Sequence, residues 1–181
     1  RDANDMSIVV AEKAALLRLD GHLIDPMDEN SDPYISGVPA GDYYIEVSHR
    51  NHAGVMSAAP VPLSDIVTHP CDFTDPNTAT WGSGACYMQD GYMMTYGGNG
   101  NGDHWIRATG PPVISDAGAL VASLGHYTNV ETNTYSNFDY NMSGDVRVTG
   151  PPVISDLAVL ILGLGHYTNI YNVQTQSVTG N

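Results

Sequence analysis

Apolar and polar positions alternate at short range through the first half of the chain and gather into two compact runs in the second. Ser7–Val10 reads as a strand and Glu12–Leu19 as a strand or a short helical turn. Asp20-Gly21 is a hairpin signal, with His22–Asp25 returning. The acidic, turn-rich Pro26–Pro33 is a loop, and Tyr34-Ile35 starts another short strand. The clearest alternation follows Gly41-Asp42: Tyr43, Ile45, Val47 and His49 share one face, and Tyr44, Glu46, Ser48 and Arg50 the other. Asn51–Gly54 turns the chain and Val55–Ala58 returns, while Pro60 and Pro62 mark an edge strand. Ile66–Thr68 and Cys71–Thr74 close this half. Seven or so short strands with regular turns predict a mainly β protein whose residues 1–75 form an antiparallel β-sandwich of the immunoglobulin or transthyretin kind.

Residues 76–96 are a glycine-rich connection holding Trp81, Cys86 and Tyr92–Tyr96, with room for a strand or two. Residues 97–169 contain an internal repeat: Gly110-Pro-Pro-Val-Ile-Ser-Asp116 returns as Gly150-Pro-Pro-Val-Ile-Ser-Asp156. Each copy ends in Leu-Gly-His-Tyr-Thr-Asn, at 124–129 and 164–169. Pro-Pro blocks a helix, Ser115 or Ser155 is a good N-cap, and Gly125 or Gly165 is a stop. The first helix is amphipathic, through Leu120, Val121 and Leu124. The second, from Leu157 to Leu164, is apolar nearly all round and is expected to be buried. Neither copy can bury its apolar face alone, so the two helices are expected to pack together as the core of this half. Residues 170–181 form a tail in which Ile170, Asn172 and Gln174 alternate with Tyr171, Val173 and Thr175, a strand with no obvious partner in its own half.

What precedes each helix suggests chemistry. Asp139, Asn141, Ser143, Gly144 and Asp145 open like a calcium loop: oxygen side chains alternate inward onto one hard cation and glycine permits the turn. Gly150 stands where the closing acid belongs, so Asp156 is the nearest replacement. The equivalent run before the first helix is Gly97-Gly-Asn99-Gly-Asn101-Gly102-Asp103, with Asp116 following and no acid in first place. The bland alternative for both is an Asn/Gly-rich turn.

Charge supports a cation. Six Lys and Arg face twenty Asp and Glu across 181 residues, for a net charge of −14. That argues against nucleic acid and anionic membrane surfaces as partners. Eleven tyrosines and a single lysine, Lys13, suit an extracellular β-rich protein. No apolar run approaches the length of a membrane span. Cys71 and Cys86 could close one disulfide or stand as two thiols, and without Cys-x-x-Cys a zinc or redox site at them is not expected. No nucleophile elbow, His-Glu-x-x-His or phosphate loop is present, so no enzymatic activity is expected. His49-Arg50-Asn51-His52 is the remaining cluster. Residues three apart on a strand face opposite ways, so both histidines meet one ion only if the turn begins between them.

Ala14–Asp25, Val38–Ser57 with its Pro-Ala-Gly-Asp-Tyr-Tyr strand and Arg-Asn-His-Ala-Gly-Val-Met turn, and Asp72-Phe-Thr74, in that order, resemble a module of large bacterial extracellular proteins. Many of these are exported by the type IX route and described as hemagglutinin- or adhesin-like, with dockerin-like calcium loops following. The resemblance spans about Ala14 to Asn169. It departs at Ser48, where the module has arginine, at Gly97 and Ser143, where it has aspartate, and at the start, where an apolar strand would precede Arg1-Asp2. It implies surface display and calcium-stabilised structure without catalysis. The combined expectation is an extracellular structural subunit that polymerises head to tail with copies of itself. The tail, through Ile170, Tyr171, Val173 and Val178, would fill an open edge of the next sandwich. The extracellular setting would also favour a disulfide between Cys71 and Cys86. The alternative function is a surface adhesin that binds glycans.

Overall fold

The computed structural model describes residues 1–66, 70–82, 84, 86–103, 105–109, 114–150 and 154–165, and the strand at 173–175. Among these the architecture is mainly β, built of short antiparallel ribbons with two short helices. Hairpin β1 (Leu16–Leu17) and β2 (Leu23–Ile24) closes over Asp20-Gly21 as expected, with Gly21 at positive φ. β7 (Cys86–Gln89) and β8 (Tyr92–Thr95) form a second hairpin inside the glycine-rich connection. Its central Asp90 and Gly91 both have positive φ, the backbone a two-residue hairpin turn requires.

The long strand expected from Tyr43 to Arg50 is divided. β3 (Gly41–Tyr43) pairs with β6 (Val61–Leu63), whereas β4 (Glu46–Val47) pairs with β5 (Val55–Met56). The break falls at Tyr44-Ile45: Tyr44 exchanges backbone bonds with Arg1, and the Ile45 N–H donates to the Ser57 hydroxyl at 3.1 Å instead of a strand carbonyl. Both of its faces are half-buried from Tyr43 to Val47, so the alternation separates two packed environments and not core from solvent.

Ser7–Val10, Tyr34-Ile35 and Cys71–Thr74 form no ladder, which corrects the expectation of strands there. Ile66–Thr68 falls partly outside the described residues. Each described strand has a single partner, giving six two-stranded ribbons.

In the repeat region β9 (Trp105–Arg107) precedes α1 (Asp116–Leu124), then β10 (Val130–Thr132) pairs with β11 (Asp145–Arg147) ahead of α2 (Asp156–Gly163). Ser115 and Ser155 cap the helices, each hydroxyl accepting from the amide three residues on, and Gly125 ends α1 in the left-handed conformation. The tail is not a surplus strand: β12 (Val173–Thr175) pairs antiparallel with β9 of the same chain, Gln174 opposite Ile106. Ile170, Tyr171 and Val178 lie outside the described residues.

The core sits here. Tyr96, Ile106, Leu120, Tyr140, Val146, Val148, Leu160 and Leu164 pack together, and the helices meet through it as expected. α2 is not buried all round, because Leu162 remains 44% exposed. Ala53, from the first half, completes the cluster. Its N–H donates to the Tyr96 carbonyl at 2.7 Å, and the N–H groups of Gly98 and Asn99 both donate to the Asn51 carbonyl. The turn after β4 is thus inserted into the start of the repeat region. Among the described residues no helix is long and apolar enough to cross a membrane.

Candidate functional site

The two loops are built alike. In the second, Asp139 Oδ1 accepts from the Ser143 N–H and Oδ2 from the Gly144 N–H, at 2.9 and 3.0 Å. Asn141 Oδ1 also accepts from Ser143 N, while its Nδ2 donates to the Ile154 carbonyl. Asp156 reaches back from the first turn of α2, its Oδ1 accepting from Asn141 N at 3.2 Å and its Oδ2 from Arg147 N at 2.8 Å. These bonds draw the loop around two carboxylates that are almost wholly buried, Asp139 and Asp156. Ser143 bonds the Asp145 backbone, and the Asp145 carboxylate turns aside to Arg147 at 2.6 Å.

In the first loop Asp116 Oδ2 accepts from Arg107 N at 2.8 Å, and Asn101 Nδ2 donates to the Ile114 carbonyl at 3.1 Å. Asn101 therefore does the work of Asn141, and the register of this loop is corrected by two residues. Asn99, not Gly97, corresponds to Asp139, and Asp103 corresponds to Ser143. The signal was available, since Asn101 and Asn141 each stand 13 residues before the isoleucine they bond. Each loop thus has two acids on its oxygen-bearing positions: Asp103 and Asp116 in the first, Asp139 and Asp156 in the second. Asp103 accepts from Trp105 N at 2.8 Å and from Asn101 Nδ2 at 3.0 Å, with Arg107 at 3.9 Å.

The first loop is electrostatically unfinished. Asp116 is fully buried and its Oδ1 has no hydrogen-bond partner. Burial pushes its carboxyl up to about 7; the Arg107 N–H opposes this and the Asp103 charge adds to it. Asp156 is also raised by burial, against the amides of Arg147 and Asn141 and with help from Asp139. In both loops a bound cation would relieve that cost, and the donors are hard oxygens. Among the described residues no three His, Cys, Asp or Glu side chains converge. A cation held here would rest on two carboxylates supplemented by amide, hydroxyl and carbonyl oxygens.

Gly98 and Gly100 permit this packing. A Cβ on Gly98 would lie 2.4 Å from Leu160 Cδ1, and one on Gly100 would lie 2.4 Å from the Tyr140 hydroxyl. Tyr140 itself is fully buried, which raises its phenol, as does the charge of Asp116.

Sequence reasoning missed the contribution of the first half. Arg50 places a guanidinium nitrogen 3.6 Å from Asp139 Oδ2 and stacks on Tyr135 at 3.9 Å. Asn51, fully buried, donates Nδ2 to the Asp139 carbonyl. Its Oδ1 faces His52 Nδ1 at 2.7 Å, and His52 Nδ1 lies 3.1 Å from His49 Nδ1. The turn does begin between the two histidines. Cys71 and Cys86, the pair expected to form a disulfide, stand here as half-buried thiols. Burial raises both thiols, which disfavours the thiolate that disulfide exchange needs.

No protein-family model, no curated protein and no solved structure matches this chain.

Proposed function

We propose that the protein is a calcium-stabilised extracellular structural subunit that joins copies of itself head to tail by strand exchange. The observation that carries this reading is the segment Ile8–Val10. Its β-branched side chains are 51%, 48% and 39% exposed, and it belongs to no ladder among the described residues. Leu16, Leu17 and Leu19 add further exposed apolar surface in the same half. Ile8 is held in its own turn, its N–H donating to the Asp5 carbonyl and its carbonyl accepting from the Asp2 N–H, so an incoming strand would have to open those two bonds. A β-prone segment outside any ladder is a template for another strand, whose backbone bonds supply affinity and whose alternate side chains supply specificity.

On this reading the ribbons of residues 1–75 are parts of an immunoglobulin- or transthyretin-like sandwich that an incoming strand completes. The donor is the tail, residues 170–178, exchanging its pairing with β9 for the open segment of the next subunit. It carries no charged residue, so docking adds no repulsion to a chain already at −14. Such a contact is head to tail and continues into an open filament unless rotation closes it. The two loop–helix copies are the dockerin-like part. Asp139, Asn141, Ser143, the Asp145 carbonyl and Asp156 would hold one calcium; Asn99, Asn101, Asp103 and Asp116 would hold a second.

Electron microscopy of purified protein with and without residues 170–181 tests the assembly. Fibres from the full chain and monomers from the truncated one are expected. Fibres that persist after truncation remove the tail as donor, and a full chain that stays monomeric removes the filament.

A further inference from the structure

The turn that locks the two halves together brings three side-chain atoms to one place. His49 Nδ1 and His52 Nδ1 are 3.1 Å apart, their rings nearly perpendicular at 80°. Asn51 Oδ1 stands 2.7 Å from His52 Nδ1. Two nitrogens bound at about 2.0–2.1 Å on adjacent corners of a tetrahedral metal are about 3.3 Å apart, so the ring nitrogens already span such an edge. We propose that His49 and His52 form a two-histidine site for a borderline transition-metal ion of the zinc class, completed by water and distinct from the oxygen-lined loops; the Asn51 oxygen, at 2.7 Å, is a hydrogen-bond partner of His52 Nδ1 and not a ligand.

Two features favour it. Imidazole nitrogen selects zinc-class ions over calcium, so the site and the loops do not compete for one metal. Asn51 is fixed, because its Nδ2 is committed to the Asp139 carbonyl, and its oxygen, 2.7 Å from His52 Nδ1, holds that ring in place beside His49. Metal binding needs the lone pair of each Nδ1, so the proton that now makes these hydrogen bonds would move to Nε2 or leave as the ion enters. Arg50 adds an opposing charge, but its guanidinium is turned to Asp139 and the Tyr135 ring. His49 is only half-buried and gives the ion a way in, with water completing the coordination. The competing arrangement of the same atoms is a proton shared between the two Nδ1 atoms, which needs no metal.

Calorimetric titration with zinc, in excess calcium so that the loops cannot take up zinc, separates the two. The wild-type chain and the control His126→Ala, on an exposed loop, are expected to bind one zinc ion. His49→Ala should bind it at least about tenfold more weakly. No zinc binding by the wild type, or equal binding by His49→Ala, overturns the proposal. Should His49→Ala lose its fold by circular dichroism, imidazole nitrogen spectra of the wild type decide. Zinc must then shift the Nδ1 resonances of His49 and His52 together, and a shift confined to other histidines overturns the site. The outcome does not depend on filament formation, and should the loops fail to hold calcium, the comparison with His49→Ala still assigns the zinc to this turn.

Discussion

Asn51 donates its side-chain amide to the main-chain carbonyl of Asp139, 88 residues further along the chain. Both residues are buried, and the bond ties the turn of the first half to the start of the second calcium-like loop. Asn51→Ala leaves that carbonyl buried without its donor and opens a small cavity. A loss of about 1–3 kcal/mol is expected. Urea denaturation measures it, and a change within error would mean that the two halves do not depend on this bond.

Calcium is expected to raise stability through linkage, since the unfolded chain holds no such loops. With few charged ligands the affinity belongs to the weak extracellular range, about 10⁻⁴–10⁻³ M. Calcium at about 10- to 100-fold above Kd then adds about 1.4–2.7 kcal/mol for each occupied site. Asp156→Asn should remove the second loop's share and Asp116→Asn the first's, leaving the other intact. Melting temperatures that do not differ between chelator and about 10 mM calcium, roughly 10- to 100-fold above that Kd range, would end the calcium assignment.

In chelator, two buried groups pull stability in opposite directions over nearly the same pH range. The Asp116 carboxyl, pushed up to about 7, keeps a proton that the unfolded chain gives up near 4. Its contribution is greatest in acid and is lost as pH rises from about 4 to 7. His52, pushed down to about 4, refuses a proton that the unfolded chain takes near 6.5. Its contribution is present above about 6.5 and is lost as pH falls toward 4. Relative to wild type, Asp116→Asn should therefore gain stability as pH rises, and His52→Gln should gain it as pH falls. Denaturation at intervals from pH 4 to 7 reads both slopes. Parallel profiles for wild type and variants would contradict the burial assigned to these groups.

The three loop glycines should separate by mechanism. Gly98 combines φ +123° with a Cβ position 2.4 Å from Leu160, and Gly100 faces Tyr140 and Phe138 at 2.4 and 2.5 Å. Gly102, at φ +71°, has nothing within 4 Å. Gly98→Ala and Gly100→Ala should each cost about 1–3 kcal/mol through overpacking. Gly102→Ala pays only backbone strain, about 1 kcal/mol. A larger cost at Gly102 than at Gly100 in denaturant titrations would mean that the aromatic packing is looser than described.

The repeat, the serine caps, the Asp-Gly hairpin and the approximate helix limits were legible in the sequence because each rests on interactions within a few residues. Ser115 caps an amide three positions away, and Asp20-Gly21 turns on its own backbone preference. The oxygen-bearing loop positions were legible for the same reason, although the first loop's register became clear only when Asn101 and Asn141 were seen to make the same bond. What only the tertiary structure decided lies between distant segments. Tyr43–Val47 alternates like one strand, yet Ser57 divides it between two partners. Ser7–Val10 has strand composition but joins no ladder among the described residues, Ile8 bonding instead to Asp2 and Asp5 in a local turn, because composition gives a strand its preference and not its partner. The tail finds β9, and the turn at Asn51 finds Asp139. No local pattern marks those meetings, since their stability comes from burying groups that are dozens of residues apart.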